Sequence, residues 1–410
     1  MEISKDALRL LNEVDSLAKH ETESRVSDER LSRRQYIKHT GALVAGAAVG
    51  AAATYCGLRE PSPATQTVIQ TLTESITQTV TETVTEIPSC TASLRAAAEN
   101  RGLLIGSETA PAELSNSRYA NTLAREFNYL TPGVDMKWRR VHPSENEWYF
   151  ASADRIVKFA SDHQMKVKGH CLIWHYPSEL PSYLTYAMPA EEVRKAIENH
   201  ITTLVGRYRG KIHAWDVVNE AVDDNEGLRK SFFLNKLGEG YIGEAFHVAH
   251  EADSNALLIY NDYGAEGLCD KSDRVYSLVK KLIGDGVPID EVGLQMHLSA
   301  WNYPKPEDVA ANVRRLAQLG LKVNISEMDV EIKKVPGDLP ERLEAQRRVY
   351  HDVIAACLKE RNFTDITFWG FTDAYSWIDE WYGPDDPLLF DEEYQPKPAY
   401  WGVMDALLGE

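Results

Sequence analysis

The chain has 410 residues, 62 of them acidic and 44 basic, for a formal charge of −18, with 43% hydrophobic and 26% charged residues. These proportions exclude a wholly disordered or collagen-like chain, and the acidic balance argues against nucleic-acid binding, which needs a basic stripe to neutralise phosphates. Five cysteines are too few for a disulfide scaffold, and no apolar run reaches the ~18 residues of a membrane span.

Residues 1–40 hold eight basic and eight acidic side chains, so the acidity belongs to the long C-terminal part. Ser32-Arg33-Arg34-Gln35-Tyr36-Ile37-Lys38 precedes a mild apolar stretch, Gly41 to Ala53, rich in Ala and Gly. Paired arginines before such a stretch resemble a twin-arginine export signal. Residues 1–53 are therefore expected to direct export to the exterior or the cell surface. Cleavage near Ala51–Ala53 and retention as an anchor both stay open. Residues 54–90 read as a Thr-rich stalk, since every odd position from Thr71 to Thr85 is Thr or Ser. Hydroxylated and β-branched residues disfavour helix, so an extended spacer is expected. The four-residue period of Leu72, Ile76, Val80 and Val84 leaves a helical, oligomerising stalk as the alternative.

From residue 94 onward, β-type runs alternate with helical patterns. The expected strands are Arg101–Ser107, Tyr129–Trp138, Lys166–Trp174, Ile212–Asn219, Ala256–Asn261, Val292–His297, Lys322–Asp329 and Ile366–Thr372. The clearest helix runs from Pro189 to Tyr208, with Val193, Ile197, Ile201, Leu204 and Val205 on one face. Alternating strands and helices imply parallel pairing through right-handed crossovers. Eight such units fit an α/β fold of the (β/α)8 TIM-barrel type over residues 91–410. A doubly wound open sheet is the rival, but no Gly-rich phosphate turn follows any strand.

In such a barrel the chemistry sits at the C-terminal strand ends. Strand three ends on His170 to His175, strand four on Asn219-Glu220, and strand five on Asn261-Asp262-Tyr263. Strand six ends Gln295-Met296-His297, strand seven Glu327-Met328-Asp329, and strand eight brings Trp369, Asp373 and Trp377. Carboxylates, amides and indoles together suit a carbohydrate, whose C–H faces stack on rings and whose hydroxyls need polar partners. Glu220 and Glu327, on strands four and seven, are expected to face one another. A retaining glycosidase needs two carboxyl groups ~5–5.5 Å apart, one a proton donor and one an ionised nucleophile. Asp216 is read as structural, pointing away from the cleft. His247 and His250 share a helix face with Glu251 following, but they lack a third ligand, so no metal is expected and nothing calls for a cofactor. Cys171 is read as a free buried thiol, and Asn362-Phe363-Thr364 is a formal glycosylation sequon.

Trp215-Asp216-Val217-Val218-Asn219-Glu220-Ala221 and Ile325-Ser326-Glu327-Met328-Asp329-Val330 resemble the glycoside hydrolase family 10 endo-β-1,4-xylanases. The resemblance spans residues 94–406 and places motifs on seven of the eight strands. It implies that Glu220 is the general acid/base and Glu327 the nucleophile. It implies that His297 and Asp329 keep Glu327 ionised, that Gln295 lies near the acid/base, and that Asn219 hydrogen-bonds the sugar 2-hydroxyl. Lys137, His170, Trp174 and Trp369 match the family's glycone-side sugar-binding set, and Trp377 matches an aromatic of the same cleft. The implied activity is retaining hydrolysis of internal β-1,4-xylosidic bonds. The implied partner is a polysaccharide, met by a monomeric catalytic domain, with a membrane involved only through the N-terminal anchor.

Two stretches depart from the family pattern. Where the family reads Pro-Glu-Asn-x-Met-Lys-Trp, this chain has Pro132-Gly133-Val134-Asp135-Met136-Lys137-Trp138. Two polar contacts to the sugar one unit further along the glycone side become a bare backbone and an apolar side chain. After His175 two residues are inserted, so that a sugar-binding glutamine of the family is either replaced by Glu179 or lost. These changes leave a related retaining β-glycanase, acting on a different or decorated β-glycan, as the alternative. A non-catalytic carbohydrate-binding barrel would have lost one of the two carboxylates. A cell-surface structural protein would rely on its stalk.

Overall fold

The computed structural model describes residues 93–410; the expected export signal (1–53) and stalk (54–90) lie outside the described residues. Several helices begin where a side chain takes up the free N–H groups of the first turn. Asn116 accepts from Arg118 and Tyr119 ahead of the helix Ser117–Glu126, and Ser231 accepts from Leu234 at Phe232–Leu237. Asp338 and Glu341 form a reciprocal capping box on Leu339–Cys357. The helix expected over Pro189–Tyr208 runs Ala190–Arg207, with Pro189 as its N-cap, and its buried stripe includes the five apolar residues anticipated.

The strands are β1 (Leu104–Thr109), β2 (Tyr129–Pro132), β3 (Lys166–Trp174), β4 (Ala214–Asn219), β5 (Leu257–Asp262), β6 (Glu291–Leu294), β7 (His297–Ser299), β8 (Lys322–Glu331) and β9 (Phe363–Phe368). All pair in parallel, in the order β1-β2-β3-β4-β5-β6-β8-β9, and β9 returns to β1, closing an eight-stranded barrel. Helices cover its outer face, so the outward side chains Ile105, Leu130, Trp215, Leu258, Val292 and Val323 are fully buried, as parallel sheets require.

Most strands shift by one to three residues at an end, and three differ more from the sequence expectation. β2 stops at Pro132 rather than Trp138 because the chain turns into a short helix at Trp138–Val141. The sixth strand is interrupted at Gln295-Met296. Met296 takes φ +64° and gives its N–H to the buried carboxylate of Glu266, so β7 resumes as a short ribbon against the end of β8. The last strand is Phe363–Phe368 rather than Ile366–Thr372. The sequon therefore lies at its start, where the Asn362 amide donates to the Val313 and Leu321 carbonyls at 2.9 and 3.2 Å.

Inside the barrel, beneath the strand ends, lies a buried polar layer of Lys168, Asp216, Glu291, Asn324 and Asp365. Lys168 donates to the Ser326 carbonyl at 3.1 Å and sits 3.8 Å from Asp216. Asn324 donates to Glu291 at 3.0 Å. Cys171 is a buried free thiol, and Cys269 and Cys357 are also unpaired.

Candidate active site

β4 delivers the first carboxylate. Its register against β5 shifts between Asp216 and Val218, which breaks the strict alternation of a strand. Asp216 and Asn219, three residues apart, thus both reach polar partners of the interior. Asp216 does not point away as expected: it lies buried directly beneath the site and bonds His170 Nδ1 at 2.8 Å. Glu220 follows with φ +57°, a conformation rare for residues bearing a Cβ and concentrated at functional sites. Its N–H donates to the Asn261 carbonyl at 2.8 Å.

A chain of amides joins the two carboxylates. Glu327 Oε1 accepts from Asn261 Nδ2 at 2.7 Å, and the same nitrogen donates to Asn219 Oδ1 at 2.9 Å. Gln295 Nε2 donates to Asn219 Oδ1 at 3.3 Å and to Glu220 Oε1 at 3.1 Å. Asn219 Nδ2 completes the link to Glu220 Oε1 at 3.2 Å. Gly293, on β6, makes room for this chain, since any Cβ there would press into Asn261 Oδ1.

The remaining oxygens meet different surroundings. Glu220 Oε2 accepts from Trp174 Nε1 at 2.9 Å and lies 3.9 Å from His175. Glu327 Oε2 is 3.3 Å from His297 Nε2, and His297 Nδ1 is 2.9 Å from Asp329 Oδ2. Trp377 Nε1 donates to that same Asp329 oxygen at 2.8 Å. Burial opposes charge on His297, but the Asp329 and Glu327 carboxylates outweigh it and push the imidazole well above its ordinary pKa. An imidazolium donates from both nitrogens, which matches two carboxylate partners. Burial likewise opposes ionisation of Glu327. His170 at 3.9 Å, the His297 hydrogen bond and charge, and Lys168 reverse that and hold it down to about 2.

These groups line one cleft of about 790 Å3. Of the residues singled out from sequence, Glu220, Glu327, His297, Asn219, Gln295, Lys137, His170, Trp174, Trp369 and Trp377 all face it, and Asp329 lies behind His297. Lys137 Nζ sits 4.3 Å above the Trp174 ring, a cation–π contact. Trp369 stands edge-on to His170 at 5.1 Å, and Trp377 packs 5.1 Å from His297. Rings, amides and carboxylates thus converge as a sugar requires. Among the described residues, no group of three or more His, Cys, Asp or Glu is arranged to hold a metal ion.

The departing stretches also line the cleft. Glu179 lies 3.6 Å from Arg140, and Tyr176 stacks on Trp174 at 4.9 Å. Several members escaped the sequence reading, three of them acting on the carboxylates or the glycone wall. Asn261 stood in view at the end of strand five, but its role as a bridge depends on spatial neighbours. Glu108 and Glu113 both line the cleft; Glu108 lies one residue beyond the first strand's expected end, and β1 extends to Thr109.

Comparison with known proteins matches residues 93–406 to the family model described as glycosyl hydrolase family 10. Endo-1,4-β-xylanase B of Thermotoga neapolitana is 41% identical over 294 residues, 71% of this chain and 83% of that protein. The β-1,4-xylanase of Dictyoglomus thermophilum is 40% identical over 311 residues, covering 72% and 86%. Among solved structures, xylanase 10B from Thermotoga petrophila in complex with xylobiose superposes with a TM-score of 0.75 at 39% identity, over 78% of this chain and 98% of that one.

Proposed function

The chain belongs to glycosyl hydrolase family 10, and from that premise we propose that it is an endo-β-1,4-xylanase working with retention of configuration. Glu327 attacks the anomeric carbon while Glu220 protonates the departing glycosidic oxygen. Glu220 then takes a proton from water, and that water displaces Glu327 from the glycosyl ester. The observation that carries this reading is the pair of carboxylates joined by one amide chain, of which Glu327 alone is clamped by an imidazolium. The ionised form that a nucleophile needs is thereby maintained, and Asn219 stands beside both carboxylates, where a 2-hydroxyl would lie. Lys137, His170, Trp174, Trp369 and Trp377 would hold the glycone sugars.

Export through residues 1–53 and tethering through residues 54–90 belong to the same proposal, because an endo-acting enzyme must meet a polymer outside the cell. A decorated or different β-glycan remains the second reading. Gly133 and Val134 motivate it, and both face the cleft.

A panel of β-glycans assayed with the wild type and Glu327→Ala tests the reading. Xylan should release reducing ends fastest, with the β-anomer of the new reducing ends formed first by NMR. Glu327→Ala should lower kcat by at least about 10⁴-fold, of the order seen when a nucleophile is removed. Activity on no β-glycan, or initial formation of the α-anomer, would sink it. Faster release from another β-glycan would favour the second reading.

A further inference from the structure

We propose that Glu108 is a substrate-binding, specificity-determining residue that supplies the glycone wall of the cleft with a carboxyl group from β1; this inference rests on the xylanase reading above. The register of the first two strands sets Glu108 opposite Thr131 and Thr109 opposite Pro132, so Glu108 rises beside the point where the chain leaves β2. There the backbone is bare, at Gly133. An ideal Cβ on Gly133 would lie within 3.0 Å of three atoms, and all three belong to the Glu108 side chain: Cγ, Cδ and Oε1. Glycine at 133 is therefore clearance for Glu108 rather than a vacant contact, and the wall at this point is polar.

The surroundings give that carboxyl a task. Its neighbour Glu113 is turned toward the chain, accepting from the Ala110 N–H at 2.9 Å and from Thr109 Oγ1 at 3.4 Å. Glu108 shares the cleft lining with Lys137, whose ammonium lies over Trp174. Together they offer a carboxyl and an ammonium in one cleft lining, which suits a neutral sugar with vicinal hydroxyls. Burial and the charges of Glu113, Asp135 and Glu327 push the Glu108 carboxyl upward in pKa, against the pull of Lys137.

The test compares an aryl β-xylobioside, which fills two glycone positions, with an aryl β-xyloside, which fills only the one beside Glu327. Glu108→Ala should lower kcat/KM on the xylobioside by about 10–100-fold, mainly through KM, as for a lost hydrogen bond to a charged or strongly polar group. On the xyloside the change should stay under about threefold. Glu108→Asp, which shortens the reach and keeps the acid, should show the same selectivity. Gly133→Glu alone should be worse than the double variant Glu108→Ala/Gly133→Glu, because only the double variant clears the space. Equal losses on both substrates for Ala and Asp, or no loss on the xylobioside, would overturn the assignment while leaving the xylanase reading intact. A wild type that cleaves neither substrate nor any glycan of the panel would bring down both.

Discussion

At the scale of single residues, the site is an arrangement of unequal surroundings for two glutamates. Glu327 is held ionised down to about 2 against its own burial, by the His170 charge, then the His297 hydrogen bond and charge, then Lys168. The sign follows directly: a carboxyl whose folded pKa is depressed contributes stability above its unfolded value near ~4.3 and loses it as pH falls through about 2. In the wild type, protonation of Glu327 therefore does not limit kcat/KM between about pH 4 and 8. His297→Ala removes the clamp, leaving only His170 and Lys168 to oppose burial. The acid limb of kcat/KM should then move upward by about one pH unit or more, and kcat should fall about 10–100-fold. A pH–rate profile checks this; an unmoved limb would mean that His170 and Lys168 suffice.

At the scale of elements, irregularities in the strands aim the side chains. A regular β4 would set Asp216 and Asn219 on opposite faces; the register shift against β5 lets both serve the interior. A regular sixth strand would run on through Gln295 and Met296. The left-handed Met296 instead ends β6 and starts β7, so Gln295 reaches Glu220 while His297 reaches Glu327. Between them β6 approaches β5 so closely that Asn261 needs Gly293 opposite. Gly293→Ala should push the Asn261 amide off Glu327 and Asn219. The expected result is a fall of about tenfold or more in kcat/KM, with destabilisation of about 1–3 kcal/mol from overpacking. Steady-state kinetics and urea unfolding measure the two effects, and unchanged kinetics would show that the amide chain tolerates displacement.

At the scale of the whole molecule, barrel closure gathers ionisable groups from distant strands into one dry interior. Asp365 on β9 is buried near Glu291, and both effects push it up to about 8, against Lys168. An acid with a raised folded pKa contributes stability that is fully present below its unfolded value of ~3.9 and is lost as pH rises toward about 8. The loss is at most about 1.4 kcal/mol per pH unit across that window. Asp365→Asn cannot ionise, so its melting temperature relative to wild type should climb between pH 5 and pH 8 and level off above. A constant difference across that range would show that Asp365 does not titrate there. The sequence by itself determined the alternation of strands and helices, the barrel they close, and the carboxylates, histidines, amides and indoles at the strand ends, because periodicity and local motif are properties of neighbours along the chain. Only the tertiary structure decided that Asp216 supports His170, that Asn261 bridges Glu327 to Asn219, and that Glu108 covers Gly133. Those contacts join residues 25 to 66 positions apart, and they follow from register shifts and close strand approaches that no local pattern encodes.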